Sequence, residues 1–345
     1  MANVNNVITK TVASLVKNLS VRNRDVISRR FGLKSGKKET LESIGKGYGI
    51  TRERVRQIEE FSMNQLSKAI PSVPEVAKYV SLAKDILSGS GGIMRESDLF
   101  KAFSGNDNPN VINSSLVFVL TLAGEPVRFG ESDTHHSFWA ATRGHQESFK
   151  KNISALIGAF QKNEKPVAEA GIASFADKSG IGSLKDIKVF LSVSKELGRN
   201  VFGEVGLVNW AEVKPKGVRD KAYLVLKKEN KPKHFSEIAK LINTTAFSAR
   251  KANTQTVHNE LIKDSRFVLV GRGMYGLSEW GYRPGTVKDV LVDILKGSAK
   301  PVPKAELVAK VLGSRMVKEN TILLNLQDSK VFSKREDGSY MLRKA

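Results

Sequence analysis

The amino-acid sequence predicts a mainly α protein with small β wings, an N-terminal helix-turn-helix followed by a tandem array of winged-helix domains. Three observations lead there. Between residues 19 and 66, Thr40 and Thr51 each precede an amphipathic run, with Gly47 and Gly49 between them. The three tryptophans, Trp139, Trp210 and Trp280, are spaced 71 and 70 residues apart, a period longer than the roughly 20–50 residues of a solenoid and suited to a repeated domain. Each period also carries the same internal plan of three helical patterns and then two β-rich runs.

The helical patterns opening the periods are Val76, Val80, Ala83 and Leu87; Ile153, Leu156, Ile157 and Phe160; and Ala222, Val225 and Leu226. Short second helices follow, such as Leu99-Phe-Lys-Ala-Phe and Ile238-Ala-Lys-Leu-Ile, and then a third. In the third period the β runs are Phe267-Val-Leu-Val and Met274-Tyr-Gly-Leu, joined by Gly271-Arg-Gly. The segment 284–345 repeats the plan without tryptophan, its hairpin turning over Glu336-Asp-Gly. The expected division is 1–70 for the helix-turn-helix and four winged-helix-like units at 75–145, 148–213, 215–282 and 284–345. In the second of these, Gly171–Gly182 blurs the helical pattern.

Charge narrows the function. The 345 residues include 56 Lys and Arg against 35 Asp and Glu, a net charge of +21. Residues 1–70 carry a net +8, residues 71–213 a net −1 and residues 214–345 a net +14. Basic ends around a neutral middle point to a polyanion partner, most often nucleic acid. A merely solubilising surface would not be expected to divide this way.

With no cysteine, disulfides, thiolate zinc sites and cysteine nucleophiles are excluded. The longest apolar run, Leu116–Ala123, is far short of the roughly 20 residues that span a bilayer. The first residues lack a basic region followed by an apolar core, so a cytoplasmic, nucleoid-associated protein without membrane contact is expected. No phosphate-cradling Gly-x-x-x-x-Gly-Lys-Ser/Thr string and no Gly-x-Ser-x-Gly elbow occur. His135 and His136 lack zinc-site spacing and are expected in a solvent-exposed polar wing. No enzyme activity, cofactor or metal is expected.

Within 19–66, Thr40 starts a short helix with Leu41 and Ile44 inward, Gly47 and Gly49 form the turn, and Thr51 caps the next helix. At about 100° per residue, Val55, Ile58 and Ser62 fall on one stripe. Arg52, Glu53, Arg56 and Gln57 fall on the opposite face. These residue types suit base edges in a major groove, Arg for guanine, Gln for adenine and Glu for the cytosine amine. The same pattern also describes a solvated face laced with i,i+4 ion pairs.

The strings Leu19-Ser…Arg29-Arg-Phe-Gly-Leu, Thr40-Leu-Glu-Ser-Ile-Gly and Ile50-Thr-Arg-Glu-Arg-Val-Arg-Gln-Ile-Glu closely resemble region 4 of the bacterial sigma-70 family of transcription initiation factors. The resemblance implies promoter readout through the second helix and docking on the β flap of RNA polymerase. It implies that Arg52, Glu53, Arg56 and Gln57 face bases, with Arg22, Arg24, Arg29 or Arg30 nearer phosphates or the polymerase. No aromatic-rich basic segment like the promoter-melting region of those factors occurs, so a region-4 module reused in a regulator is expected.

Val257-His-Asn-Glu-Leu-Ile-Lys-Asp-Ser-Arg-Phe-Val-Leu-Val-Gly-Arg-Gly-Met-Tyr-Gly-Leu-Ser-Glu-Trp is similar to the HARE-type winged helix, which implies a nucleic-acid or polymerase-associated role. On its third helix Thr256, Asn259 and Lys263 lie away from Val257 and Leu261 and so are placed to reach DNA. Arg272, at the Gly-Arg-Gly wing tip, is placed to enter a minor groove or touch phosphate. Trp280 and Phe267 are expected in the core. The leading expectation is a regulator that binds double-stranded DNA and contacts RNA polymerase. A nucleoid-type bridging protein and a polymerase accessory subunit are the other readings.

Overall fold

A computed structural model describes residues 2–178, 187–247, 250–282, 284–298 and 300–343, with side chains from residue 7 onward. The chain is 58% helical, and its described residues form four three-stranded antiparallel sheets. It divides into two units: Met1–Arg199 with Gly203–Asn209, and Asn200–Phe202 with Trp210–Ala345.

The first unit opens with four helices, α1 (Ala2–Val16), α2 (Val21–Phe31), α3 (Leu41–Tyr48) and α4 (Arg52–Ala69). Then come α5 (Pro74–Ser88), β1 (Ile93–Arg95), α6 (Glu96–Ser104), α7 (Val111–Ala123), β2 (Val127–Phe129) and β3 (Phe138–Ala140). The plan recurs as α8 (Arg143–Asn163), β4 (Val167–Ala168), α9 (Ile172–Lys178), α10 (Ile187–Val193), β5 (Leu197–Arg199) and β6 (Glu204–Leu207). In the second unit it recurs twice. The first copy is α11 (Val218–Glu229), β7 (Lys233–His234), α12 (Phe235–Thr244), α13 (Thr254–Lys263), β8 (Phe267–Gly271) and β9 (Met274–Leu277). The second is α14 (Val287–Lys296), β10 (Val302–Pro303), α15 (Lys304–Ser314), α16 (Glu319–Leu326), β11 (Phe332–Lys334) and β12 (Ser339–Leu342).

In every sheet the last strand lies in the middle, between its hairpin partner and a two- or three-residue strand that follows the first helix. This short strand is absent from the sequence expectation, because two or three residues are too few to show alternation. The Trp repeat is also not in strict register. Trp139 lies inside β3, whereas Trp210 and Trp280 each follow the end of a hairpin by three residues. Phe267 is buried and Trp280 half-buried against the core of its repeat. Of the Gly171–Gly182 stretch, residues 179–182 lie outside the described residues.

His135 and His136 are half-buried rather than solvent-exposed. His135 bridges to Ser194 and sets its ring edge-on to Phe138 at 5.1 Å. Burial, aided by Arg95 and opposed by Glu131, holds the His136 imidazole below its ordinary value. Among the described residues no cluster of three His, Asp or Glu is placed to hold a metal, and no helix is long and apolar enough to cross a membrane.

The main core of the first unit joins α1, α2 and α4 to the first repeat. Ile8, Val12, Ile27, Phe31 and Leu66 share one cluster with Leu99, Phe103, Phe118 and Trp139. The central element is α7, apolar on nearly every side, as a helix buried all round must be. Phe31 and Phe118 meet edge to face at 5.1 Å. The loop after α2 approaches so closely that a Cβ at Gly36 would stand 2.7 Å from the Asn110 Cα. Gly36 also has φ +76°, so a side chain there is excluded twice over.

At the sheet end, Glu96 accepts from Arg128 at 2.9 Å and from the Trp139 indole at 3.1 Å. Burial alone would push the Glu96 carboxyl up, but Arg128, Lys38 and Trp139 together hold it below its ordinary value.

Two outcomes are expected. Phe118→Ala removes a fully buried ring and should lower the stability of the first unit by about 3–5 kcal/mol in denaturant unfolding; a loss under about 1 kcal/mol would deny α7 its central place. Glu96→Gln should cost about 1–3 kcal/mol at neutral pH. Because the folded-state pKa is depressed, that difference should hold above the unfolded value of about 4.3 and shrink as pH falls below it, measured by unfolding at pH 3, 4 and 7.

Candidate nucleic-acid interface

The helix-turn-helix is set by two threonine caps. The Thr40 hydroxyl accepts the Ser43 amide at 3.1 Å, starting α3, and the Thr51 hydroxyl accepts the Arg54 amide at 3.2 Å, starting α4. Gly49 ends α3 in the left-handed region at φ +64°. Gly47, expected in the turn, is instead the penultimate residue of α3, against the Arg29 guanidinium. Gly45 permits the tight crossing, since a Cβ there would lie 2.7 Å from the Ile50 carbonyl oxygen. Val26, Ile44, Val55 and Ile58 form a small core beneath, with Leu41, Tyr48 and Ile50 around it.

That core fixes which face of α4 is left open. Val55, Ile58, Ser62 and Leu66 are buried, while Arg52, Glu53, Arg56 and Gln57 are all exposed. The Arg56 guanidinium is shared between Glu53 at 2.8 Å and Glu60 at 3.1 Å. The hydrogen bonds that Arg56 donates to Glu53 raise the Arg56 pKa and lower that of Glu53. Arg54 donates to the Gln57 side-chain oxygen at 3.0 Å. The face is thus outward, polar and laced with solvated ion pairs. Pairs at this exposure are weak and readily exchanged for a phosphate or a base edge.

The arginines of α2 are placed differently. Arg29 forms a two-point pair with Glu39 at 2.9 and 2.7 Å, and Arg30 binds Glu59 at 3.1 Å and the Glu39 carbonyl at 3.2 Å. Arg24 donates to the Leu19 carbonyl at 3.2 Å, fastening the bend between α1 and α2. Arg22 is exposed and lies over the Tyr48 ring at 5.3 Å. The structure gives Arg24, Arg29 and Arg30 work inside the fold and leaves Arg22 facing solvent.

Arg54 and Lys46 were not singled out from the sequence. They border an open cleft at the turn, with Gly45, Gly49, Ile50 and Thr51. Arg54 lies beside the apolar stripe, which is why a division of the helix into two opposite faces passes it over.

In the second unit Val257 and Leu261 are buried, and Thr256, Asn259 and Lys263 are exposed on α13. Asn253 caps that helix, and Gln255 donates to Asn259 at 3.1 Å. Arg272 is exposed at the tip between β8 and β9.

These features define a mainly α protein with an N-terminal helix-turn-helix and small antiparallel β wings. Residues 15–68 match the family model described as "Sigma-70, region 4". The RNA polymerase sigma factor SigA of Nostoc sp. is 41% identical over 61 residues, 18% of this chain and 16% of that protein. The sigma factor SigA1 of Synechococcus elongatus is 41% identical over 61 residues, covering 18% and 15%. The sigma factor RpoS of Coxiella burnetii is 52% identical over 48 residues, 14% of each. The N-terminal helix-turn-helix is therefore a sigma-70 region 4 segment, and the chain spans only about one-sixth of the length of these relatives. The likeness supports a DNA-binding, polymerase-related role.

If Glu60 tethers Arg56 as the geometry shows, Glu60→Gln should raise affinity for random duplex DNA by roughly twofold to fivefold at low salt. The gain should fade at high salt, and fluorescence anisotropy at two ionic strengths measures it. Unchanged affinity at both would place Arg56 away from DNA.

Proposed function

We propose that this chain is a transcription regulator that reads duplex DNA through α4 and contacts RNA polymerase, without catalytic activity of its own. The observation that carries the reading is the open face of α4. Arg52, Glu53, Arg56 and Gln57 stand exposed while the opposite stripe is anchored in the core. Arg22 and Arg54 flank this face as phosphate contacts, which position a protein on DNA while base contacts select the site. Arg24 acts by holding the bend between α1 and α2, and Arg29 and Arg30 by holding α2, α3 and α4 in register.

The polymerase contact is assigned to the β flap, as the resemblance implies. Helix α7 already covers the apolar sides of α1, α2 and α4, so this contact falls to side chains still open on the domain, among them Val21 and Phe61. The four repeats of helix, short strand, two helices and hairpin are read as four winged-helix modules, that of 215–282 being of the HARE type. Thr256, Asn259, Lys263 and Arg272 form its DNA-facing side. A nucleoid-associated place in the cytoplasm follows from this reading.

The net +14 of residues 214–345 favours a second reading, a protein that bridges DNA with little sequence choice. Competition between a selected site and random duplex separates the two. Arg52→Ala with Arg56→Ala should weaken the selected site by about tenfold to a hundredfold and random DNA much less. Equal losses on both DNAs would favour bridging and remove base readout by α4.

A further inference from the structure

Within the second unit, the starts of α11 and α13 meet around a cavity of about 380 Å3. Its wall carries Lys216, Lys221, Arg250 and Lys251, with Asn253 and Thr256 at the α13 side. Among the described residues no carboxylate lines it. Four cations lining one concavity make it a centre of positive potential, which draws anions.

The backbone adds to the same field. Helix α11 has 12 residues and begins at Gly217, which supplies no side-chain cap, so its first-turn amides are left for another acceptor. The space beside the Gly217 α-carbon is open. Helix α13 has 10 residues and no acidic residue in its first turn. Asp220, at the start of α11, is turned to Arg266 at 2.9 Å and to the Lys216 amide at 3.2 Å.

We propose that this cavity is a phosphate site for the backbone of duplex DNA. One strand's phosphodiester sits among Lys216, Arg250 and Lys251, with the Thr256 hydroxyl as a further donor. The exposed face of α13, with Asn259 and Lys263, continues from the same rim. That continuity favours a polymer lying along the helix over a small free anion. The site rests on the reading that the chain binds duplex DNA, but not on base readout by α4.

The test uses the full chain and a random-sequence duplex, measuring the slope of log affinity against log salt. Replacing Lys216, Arg250 and Lys251 together by Gln (K216Q/R250Q/K251Q) should reduce the slope by about one to two, since each neutralised phosphate contributes about 0.9. The control K318Q/K330Q/R335Q removes the same charge from exposed positions of the following repeat. Thermal melting checks that both variants fold, and K216Q alone should show a smaller change of the same sign. Equal slope changes in the two triple variants overturn the site. Calorimetric binding of pyrophosphate that the pocket variant loses, with its DNA slope intact, also overturns it and assigns the cavity to a small polyphosphate. A wild-type chain that binds no duplex at all fails the broader reading instead.

Discussion

The burial of α7 is the constraint on which the first unit depends. A helix reading Val-Ile-Asn-Ser-Ser-Leu-Val-Phe-Val-Leu-Thr-Leu-Ala has almost no face to give to water, so it needs cover all round. Its cluster takes apolar side chains from α1, α2 and α4 as well as from α5 and α6. Phe31 against Phe118 is the point where the region 4 segment and the first repeat become one core. The consequence for function is directional. With most of its apolar side chains committed inward, the region 4 segment keeps the polar face of α4 open, alongside the exposed Val21 and Phe61.

The electrostatics follow two regimes. Charges that fix the fold are paired at two points or sheltered, as in Arg29 with Glu39, Arg30 with Glu59 and Arg128 with Glu96. Charges assigned to nucleic acid are exposed and loosely held, as in Arg56 between Glu53 and Glu60. Water already weakens the second kind, so replacing a carboxylate with a phosphate asks for little reorganisation. The carboxylates beside Arg56 also oppose indiscriminate attraction to any polyanion, which is consistent with the proposed base readout.

Much of the helix-turn-helix was legible in the sequence because its signals are local. Thr40 and Thr51 cap as their positions require, and the 3.6-residue period of Val55, Ile58 and Ser62 identifies the buried stripe of α4. What was not legible depends on contacts distant in sequence or on elements too short to show a pattern. The resemblance puts Arg29 and Arg30 nearer phosphates or the polymerase, and their pairing with Glu39 and Glu59, 10 and 29 residues away, does not show in the local sequence. Leu116–Ala123 announces burial, but nothing in the run says that α1 and α2 will supply the cover. Strands β1, β4, β7 and β10 escape notice because each has at most three residues. Gly47 shows the limit of composition, since a glycine near a turn was read as the turn while Gly49 adopts the left-handed backbone.

Native-state hydrogen exchange across α1, α2, α4 and α7 in rising denaturant tests the shared core most directly. If the region 4 segment and the first repeat are one cooperative body, the slowest amides of all four helices should merge onto a single opening isotherm. Exchange of α2 and α4 through a separate, lower-energy opening while α7 stays protected would contradict the account.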